Sequence, residues 1–241
     1  MKGVILAGGL GTRLRPLTLI TNKHLLPVYD KPMILYPLET LKKAGVSEVM
    51  VVCGKEHAGH FMNFLGSGKE YGVKLSYAIQ NGNGGIADAL SLTEDFADNS
   101  NLAVILGDNI FEGNFGEYMN KFKRGATVFF KKVPDPKRFG VAVFDKTGKK
   151  LLRVEEKPQK PKSDFAQTGL YIFDSRVFGI IKTLKPSSRG ELEITDVTNW
   201  YLTKGELQFN IIKGFWSDAG TFDSLFRASS WMAGKRKRFT A

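Results

Sequence analysis

Apolar runs and helix-like segments alternate along the first half of the chain. Four runs have the length and continuity of buried strands, at 4–7, 48–53, 73–79 and 102–106. Between them we predict helices at 32–43, at 57–64 and from residue 86 onward. Pro32 suits the first position of a helix, and Gly45 suits its end. This alternation is typical of an α/β fold with a doubly wound, mostly parallel sheet.

The second half of the chain is richer in short strand-like runs. These lie at 127–133, 141–144, 151–154, 170–173 and 207–212. Helices are predicted at 177–184 and 194–204. We see no internal repeat, low-complexity segment or linker, so residues 1–241 are expected to form a single domain. Residues 1–125 would form its sheet-based half, residues 126–225 a smaller β-rich lobe, and residues 231–241 a basic tail.

Three glycines, Gly8, Gly9 and Gly11, follow the first apolar run directly. Glycine lets the backbone approach a ligand closely and turn its N–H groups toward it. Arg13 and Lys23 behind this loop add positive charge where a polyphosphate would lie. The pattern lacks the lysine of a Walker A loop and the third glycine of the dinucleotide fingerprint. The loop therefore indicates a triphosphate site of another type, with an ordinary glycine-rich turn as the alternative.

Composition narrows the class of protein further. The chain of 241 residues carries a formal net charge of +11, and its basic residues are scattered apart from the run at 235–238. No aromatic-interleaved basic motif is present, so we expect small anionic substrates and no nucleic-acid partner. The single cysteine, Cys53, lies in an apolar run and indicates a buried thiol in a reducing compartment. With no apolar run of about 18 residues and no signal-peptide pattern, a cytoplasmic protein without a membrane partner is expected.

Asp108 follows the fourth apolar run and is a candidate metal ligand. Mg²⁺ binds one or two carboxylates together with substrate phosphates. Capping of the next turn by Asp108 is an equally good interpretation from the residues alone. His57 and His60 are three residues apart, but no third ligand lies near them in the sequence, so ordinary surface histidines are favoured.

The segment GGLGTRLRPLT, followed by Lys23 and LLPVYDKPMILYPL, resembles the signature of sugar-1-phosphate nucleotidylyltransferases. Among these enzymes the chain is most similar to the glucose-1-phosphate thymidylyltransferases. The resemblance extends to about Ser230 and implies a Rossmann-like nucleotidyltransferase core whose β-rich lobe binds the sugar. It implies the substrates dTTP and glucose 1-phosphate, Mg²⁺ as cofactor, and a homo-oligomer. Because the longer thymidylyltransferases continue past the point where this sequence stops, we expect a short form without their regulatory nucleotide site.

The resemblance also implies roles for individual residues. Arg13, Lys23 and Lys157 would be catalytic, and Asp108 and Asp218 would hold the metal. The implied nucleotide-binding residues are Leu6, Ala7, Gly8, Gly9, Gly11, Thr12, Arg13, Gln80, Gly85 and Asp108. The implied sugar-binding residues are Asn109, Gly140, Glu156, Lys157, Thr168, Gly169 and Tyr171. Arg189 would support them, although its segment is equally typical of a helix-entry loop.

Two departures from the family pattern bear on specificity. The loop at 80–85 is rich in glycine where the family carries prolines, which leaves open how strictly the base is selected. Gln167 stands where a small apolar residue is usual, so the sugar pocket is expected to differ. The remaining alternatives are enzymes that use UTP or another nucleotide or sugar phosphate, a non-catalytic module that binds sugar nucleotides, and a nucleic-acid-binding protein.

Overall fold

A nine-stranded sheet joins the two halves of the chain in the computed structural model, which describes residues 1–237. The strands are β1 Lys2–Ala7, β2 Pro27–Val28, β3 Lys31–Pro32, β4 Glu48–Gly54, β5 Lys74–Gln80, β6 Leu102–Leu106, β7 Asn109–Phe111, β8 Ala126–Lys132, β9 Gly140–Phe144, β10 Leu151–Glu156, β11 Phe165–Phe173, β12 Leu207–Ile211 and β13 Trp216–Asp218. The helices are α1 Leu35–Lys43, α2 Ala58–Leu65, α3 Ile86–Ser91, α4 Glu94–Ala97, α5 Gly116–Lys121, α6 Val177–Ile181, α7 Ile194–Thr203 and α8 Phe222–Lys237. None of the helices within this part of the chain is long and apolar enough to cross a membrane.

The order of the strands confirms the predicted α/β fold. Along the main path the order is β10-β9-β11-β6-β1-β4-β5, while β8 pairs with β11 and β12 pairs with β8. The strands of the first half, β6, β1, β4 and β5, are all parallel. Strands β8 to β12 of the second half extend the same sheet, mainly through antiparallel pairs with β11, while β13 pairs with β7 in a separate two-stranded sheet. The β-rich lobe therefore continues the sheet that carries the glycine loop.

Strand β1 is apolar from Val4 to Ala7 because both faces of the sheet are covered there. Val4 and Leu6 belong to one hydrophobic cluster, and Ile5 and Ala7 belong to the cluster on the opposite face. Successive side chains of a strand point to opposite faces, so a strand covered on both sides has no polar position. Cys53 is fully buried in the second cluster, which confirms its assignment as a core thiol.

The first predicted helix begins later than expected. Pro32 lies in β3, paired with Pro27 of β2, and helix α1 starts only at Leu35. The intervening N–H groups of Met33 and Ile34 donate to the carbonyl oxygens of Leu26 and His24. The placement of Pro32 at the helix start was therefore wrong, because these long-range bonds hold the preceding residues outside the helix.

The predicted basic tail overlaps helix α8. Residues 231–237 continue this helix, and Trp231 stacks on Phe215 with ring centroids 4.2 Å apart. The Lys235 ammonium lies 4.8 Å from the centroid of the Trp231 ring. Residues 238–241 of the predicted tail lie outside the described residues.

A buried carboxylate at the end of β11 links the sheet to α7. The Asp174 Oδ2 atom accepts hydrogen bonds from the Gly125 amide at 2.8 Å and from Arg176 Nη2 at 2.6 Å, and Oδ1 accepts from the Tyr201 hydroxyl at 2.7 Å. Burial by itself would raise the pKa of Asp174, but the Arg176 guanidinium and the other donors lower it below its ordinary value. Asp174 therefore stabilises the fold as a carboxylate.

We expect Asp174→Ala to lower the free energy of unfolding by about 3 kcal/mol, because the Gly125 amide and the Tyr201 hydroxyl lose their buried acceptor and Arg176 keeps only its pair with Glu206. Urea denaturation near pH 7 measures this loss. Since folding lowers the pKa of Asp174, its contribution is present above the unfolded-state pKa, and the difference from wild type should shrink as the pH falls below about 4. The exposed ion-pair variant Glu117→Ala is the control and should unfold like the wild type. Equal stability of Asp174→Ala and wild type at pH 7 would contradict this role.

Candidate active site

Three segments with predicted site residues meet at one edge of the sheet. The glycine loop follows β1, Gln80 ends β5, and Asp108 follows β6. Because these strands run parallel, their carboxyl ends lie at the same edge, which is where open α/β sheets bind their ligands. The predicted phosphate loop and the predicted metal ligand are thus brought together by strand order.

A cavity of about 430 Å³ opens at this edge and contains most of the predicted nucleotide-binding residues. Its lining includes Leu6, Gly8, Gly9, Gly11, Thr12, Arg13, Lys23, Gln80, Gly85 and Asp108. The predicted residue Ala7 is absent from this lining, because its side chain points to the opposite face of β1 and is buried in the core. The Arg13 guanidinium forms no ion pair or hydrogen bond within the described residues, so it is available to an anion.

Asp108 and Lys23 form an ion pair in the wall of this cavity. Lys23 Nζ lies 2.5 Å from Asp108 Oδ2, and both side chains are largely buried. Asn109 Nδ2 donates to the other carboxylate oxygen at 2.8 Å. Burial alone would raise the pKa of Asp108, but the adjacent Lys23 ammonium and these hydrogen bonds hold it well below its usual range. Asp108 is therefore a carboxylate at any physiological pH.

Asp218 lies beside Asp108 although 110 positions separate the two residues in the sequence. Strand β13 pairs with β7 so that Asp218 is opposite Asn109, and the Ala219 amide donates to the carbonyl oxygen of Asp108 at 2.8 Å. Burial, followed by the charge of Asp108, raises the pKa of Asp218. The Arg138 guanidinium pairs with its carboxylate and opposes that shift.

The two aspartates form a site that suits Mg²⁺. A Cβ atom built on Gly220 would lie 3.4 Å from Asp108 Oδ2, 3.5 Å from Asp218 Oδ2 and 3.2 Å from Arg13 Nη2. Both carboxylates therefore face one small space, which is open because residue 220 has no side chain. Among the described residues there is no group of three or more acidic, histidine or cysteine ligands. Two carboxylates completed by substrate phosphates are a usual environment for Mg²⁺.

His24, which also lines the first cavity, is buried and neutral. Burial, the larger cause, and the neighbouring Lys23 charge lower the pKa of His24 to about 3. Asn22 Oδ1 accepts from the His24 backbone amide at 3.0 Å and contacts His24 Nδ1 at 2.7 Å. Since Oδ1 is an acceptor, Nδ1 carries the proton and the unprotonated Nε2 remains. A side chain at Gly107 would clash with this ring, because its Cβ would lie 2.7 Å from His24 Cδ2.

A second cavity of about 670 Å³ contains most of the predicted sugar-binding residues. These are Asn109, Gly140, Glu156, Lys157, Gly169 and Tyr171, and the lining also includes Asp218, Arg138 and Arg189. The predicted residue Thr168 is not part of this lining. Its hydroxyl donates to the Phe129 carbonyl oxygen at 3.0 Å. Neighbouring strand residues face opposite sides, so Gln167 and Gly169 line the cavity while Thr168 faces away from it.

Several charged side chains in this second cavity form ion pairs with one another. Arg189 Nη2 lies 2.9 Å from Glu193 Oε2 and 3.7 Å from Glu156 Oε1. Burial, followed by the charge of Glu193, raises the pKa of Glu156. Lys157 adopts a left-handed backbone conformation with φ 41°, which is uncommon for a residue with a side chain, and its ammonium lies 3.8 Å from Glu156 Oε1.

Asn109 links the segments that border the second cavity through its side-chain hydrogen bonds. Its Oδ1 atom accepts from the Gly169 amide at 2.9 Å and from Trp216 Nε1 at 2.7 Å, while its Nδ2 donates to Asp108. These bonds use both lone pairs of the amide oxygen and one of the two N–H donors on Nδ2. The side chain thereby ties the strand that carries Gly169 to the segment that carries Asp218.

The two cavities meet at a small set of residues. Both are lined by Thr12, Arg13, Ile86, Leu106, Asp108 and Glu191. Sequence reasoning missed His24, Arg138 and Glu193. Arg138 lies two residues before Gly140, a predicted position, but nothing in its local sequence separates it from a surface arginine.

Comparisons with known proteins show the family of this chain. The nucleotidyl transferase family model matches residues 2–234. The chain is 49% identical over 238 residues to the glucose-1-phosphate thymidylyltransferase of Neisseria gonorrhoeae, with 96% of this chain and 82% of the relative covered. It is 46% identical over 237 residues to that of Mycolicibacterium smegmatis, with the same shares covered.

Solved structures extend the similarity to the fold. A Bacillus anthracis protein assigned as a glucose-1-phosphate thymidylyltransferase and crystallised with sucrose superposes with a TM-score of 0.91 at 52% identity, covering 96% of this chain and 94% of that one. A UDP-glucose pyrophosphorylase bound to UDP-glucose superposes with a TM-score of 0.84 at 25% identity, covering 97% and 98% of the two chains. The chain therefore belongs to the nucleotidyl transferase family.

Proposed function

We propose that this protein joins dTTP and glucose 1-phosphate to give dTDP-glucose and pyrophosphate. The observation that carries the proposal is the meeting of two cavities at Asp108 and Arg13, one bordered by the glycine loop and the other by Glu156 and Lys157. A nucleoside triphosphate in the first cavity and a sugar phosphate in the second would bring their phosphates together at this junction. The thymidylyltransferase names of the relatives supply the base and the sugar.

The reaction would proceed by in-line attack. An oxygen of the sugar phosphate forms a bond to the α-phosphorus of dTTP, the bond from that phosphorus to the bridging oxygen breaks, and pyrophosphate leaves with the electron pair. A phosphate monoester is already anionic at neutral pH, so no general base is needed. Because two polyanions must approach each other, positioning and charge neutralisation should supply most of the catalysis.

The residues divide this work according to their places in the two cavities. Arg13 faces the leaving pyrophosphate, Lys23 contacts the phosphates at the reacting centre, and Lys157 holds the attacking phosphate. Asp108 and Asp218 would hold Mg²⁺, which when bound supplies positive charge against the α-phosphate. Arg189, which pairs with Glu193 and lies 3.7 Å from Glu156, supports the sugar side by holding these carboxylates in place.

Further parts of the proposal concern the whole chain. Residues 1–125 would mainly bind the nucleotide and residues 126–225 mainly the sugar. A homo-oligomer is proposed, and large apolar side chains such as Ile20 and Phe226, which are 83% and 75% exposed, are candidate contacts between its subunits. A cytoplasmic location is proposed on the single buried thiol of Cys53.

Pyrophosphate release tests the function directly. The assay contains Mg²⁺, glucose 1-phosphate and one of dTTP, UTP, CTP, ATP and GTP. We expect the fastest release with dTTP and the next fastest with UTP. No release is expected when EDTA removes the metal. Identification of dTDP-glucose by mass spectrometry confirms the product. Turnover with none of the triphosphates, or dTTP hydrolysis without a sugar nucleotide, would contradict the proposal. If glucose 1-phosphate gives no turnover, mannose, galactose and N-acetylglucosamine 1-phosphates are tried next. Turnover with one of them indicates an enzyme for a different sugar, and turnover with none indicates a non-catalytic binding protein.

Removal of the Arg13 charge should reduce turnover strongly. We expect Arg13→Ala to lower kcat/KM for dTTP by roughly 10²–10³, as for other preorganised electrostatic donors. Arg15→Ala is the matched control, since Arg15 is an exposed arginine two residues away that lines neither cavity. Steady-state kinetics of both variants make the comparison. Near-normal turnover of Arg13→Ala, or an equal loss in both variants, would refute the assignment.

A further inference from the structure

Gln80 presents only one of its two polar atoms to the nucleotide cavity. It ends β5 and is 7% exposed in the cavity wall. Its Nε2 atom donates to Asp88 Oδ2 at 2.8 Å and to the Gly85 carbonyl oxygen at 3.2 Å. An amide nitrogen carries two N–H donors, so both are used within the protein. A flipped amide would place its oxygen against two acceptors, which fixes the orientation chemically.

The amide oxygen is left as a lone acceptor beside the phosphate loop. A Cβ built on Gly8 would lie only 2.3 Å from Gln80 Oε1, so this oxygen lies directly against the loop backbone. Within residues 1–237 no hydrogen bond reaches this oxygen. A base in the cavity therefore meets a hydrogen-bond acceptor here, while the N–H donors of Gln80 remain engaged elsewhere.

Asp88 itself is held firmly by the loop that precedes helix α3. Its carboxylate packs against Gly84, where a Cβ would lie 2.4 Å from Asp88 Oδ2. The loop is clamped on its other side by Leu192, whose amide donates to the Gly84 carbonyl oxygen at 2.8 Å and whose carbonyl oxygen accepts from the Ala87 amide at 3.2 Å. The glycine-rich loop is thus fixed on both sides of the Asp88 contact.

We propose that Asp88 is a positioning residue that fixes the Gln80 amide and thereby selects bases with an N–H donor. Thymine and uracil carry a proton on N3, which matches the exposed acceptor, whereas N3 of cytosine is itself an acceptor and would face Gln80 Oε1 unfavourably. This inference rests on the proposed function, because it takes the first cavity to be the nucleotide site. It assigns the selection against cytosine to the hydrogen bond between Asp88 and Gln80, in which the ligand itself takes no part.

Binding of dUTP and dCTP tests this selection without requiring turnover. The two triphosphates share the deoxyribose and lack the 5-methyl group, so they differ only at the base edge that Gln80 would contact. Isothermal titration calorimetry with Mg²⁺ should give the wild type a Kd for dCTP at least roughly tenfold above that for dUTP, the effect of one mispaired hydrogen-bonding group. In Asp88→Ala the amide can turn, so the ratio should fall toward one, mainly through weaker dUTP binding.

Two further variants separate positioning from a general structural effect. Asp88→Asn keeps an acceptor oxygen for Gln80 Nε2 and should retain the selectivity of the wild type. Asp95→Ala removes an exposed carboxylate from the neighbouring helix α4 and should change neither affinity. A folded Asp88→Ala that keeps the wild-type ratio, or a wild type that binds both nucleotides equally, would overturn the proposal. A wild type that discriminates between them yet transfers no nucleotide would instead remove the proposed function and leave this inference standing.

Discussion

The burial of two carboxylates at one edge of the sheet is the constraint on which the site depends. Asp108 and Asp218 are 8% exposed each, and a buried charge is costly unless a partner compensates it. Lys23 compensates the first and Arg138 the second. These two cations come from opposite halves of the chain, and the arrangement therefore requires that both halves meet at this edge. The pairing of β13 with β7 satisfies that requirement.

The same edge explains how two substrates with like charge could share one site. The two cavities meet where Asp108 and Arg13 lie; Lys23 lines the first cavity, and Arg138 and Lys157 line the second. The sheet order places the glycine loop on one side of β6 and the strands of the β-rich half on the other. Lysine and arginine side chains that are paired with carboxylates thus line the two cavities in which the phosphates would bind.

Local pattern predicted the parts of this site that depend on backbone geometry. The apolar run at 4–7 followed by glycines predicted a strand end with a ligand loop, because that combination follows from two-sided burial and from the conformational freedom of glycine. The proximity of Asp108 and Asp218 was implied only by family resemblance, since no local pattern links residues that far apart. The predicted helix start at Pro32 failed because long-range hydrogen bonds of Met33 and Ile34 override the local preference.

The contributions of Asp88, His24 and Arg138 could not be predicted, for a different reason. Each depends on where a side chain points after folding, and therefore on partners such as Gln80 and Asp218 in other elements. A lone aspartate in a short helix or a histidine two residues after an asparagine has many ordinary structural explanations. Only the three-dimensional contacts separate these residues from their surface counterparts.

We propose that Asp108 and Asp218 bind a divalent metal together with the triphosphate. Titration of Mn²⁺ followed by electron paramagnetic resonance measures this, with and without dTTP, in the wild type and in Asp218→Asn. Because Lys23 and Arg138 neutralise the carboxylates beforehand, we expect tight Mn²⁺ binding by the wild type only when dTTP is present. Asp218→Asn with dTTP should bind Mn²⁺ at least roughly tenfold more weakly, the scale of losing one charged ligand. Binding by free dTTP is measured separately and subtracted. If the wild type and Asp218→Asn, each with dTTP, then bind Mn²⁺ with equal affinity, Asp218 is not a metal ligand.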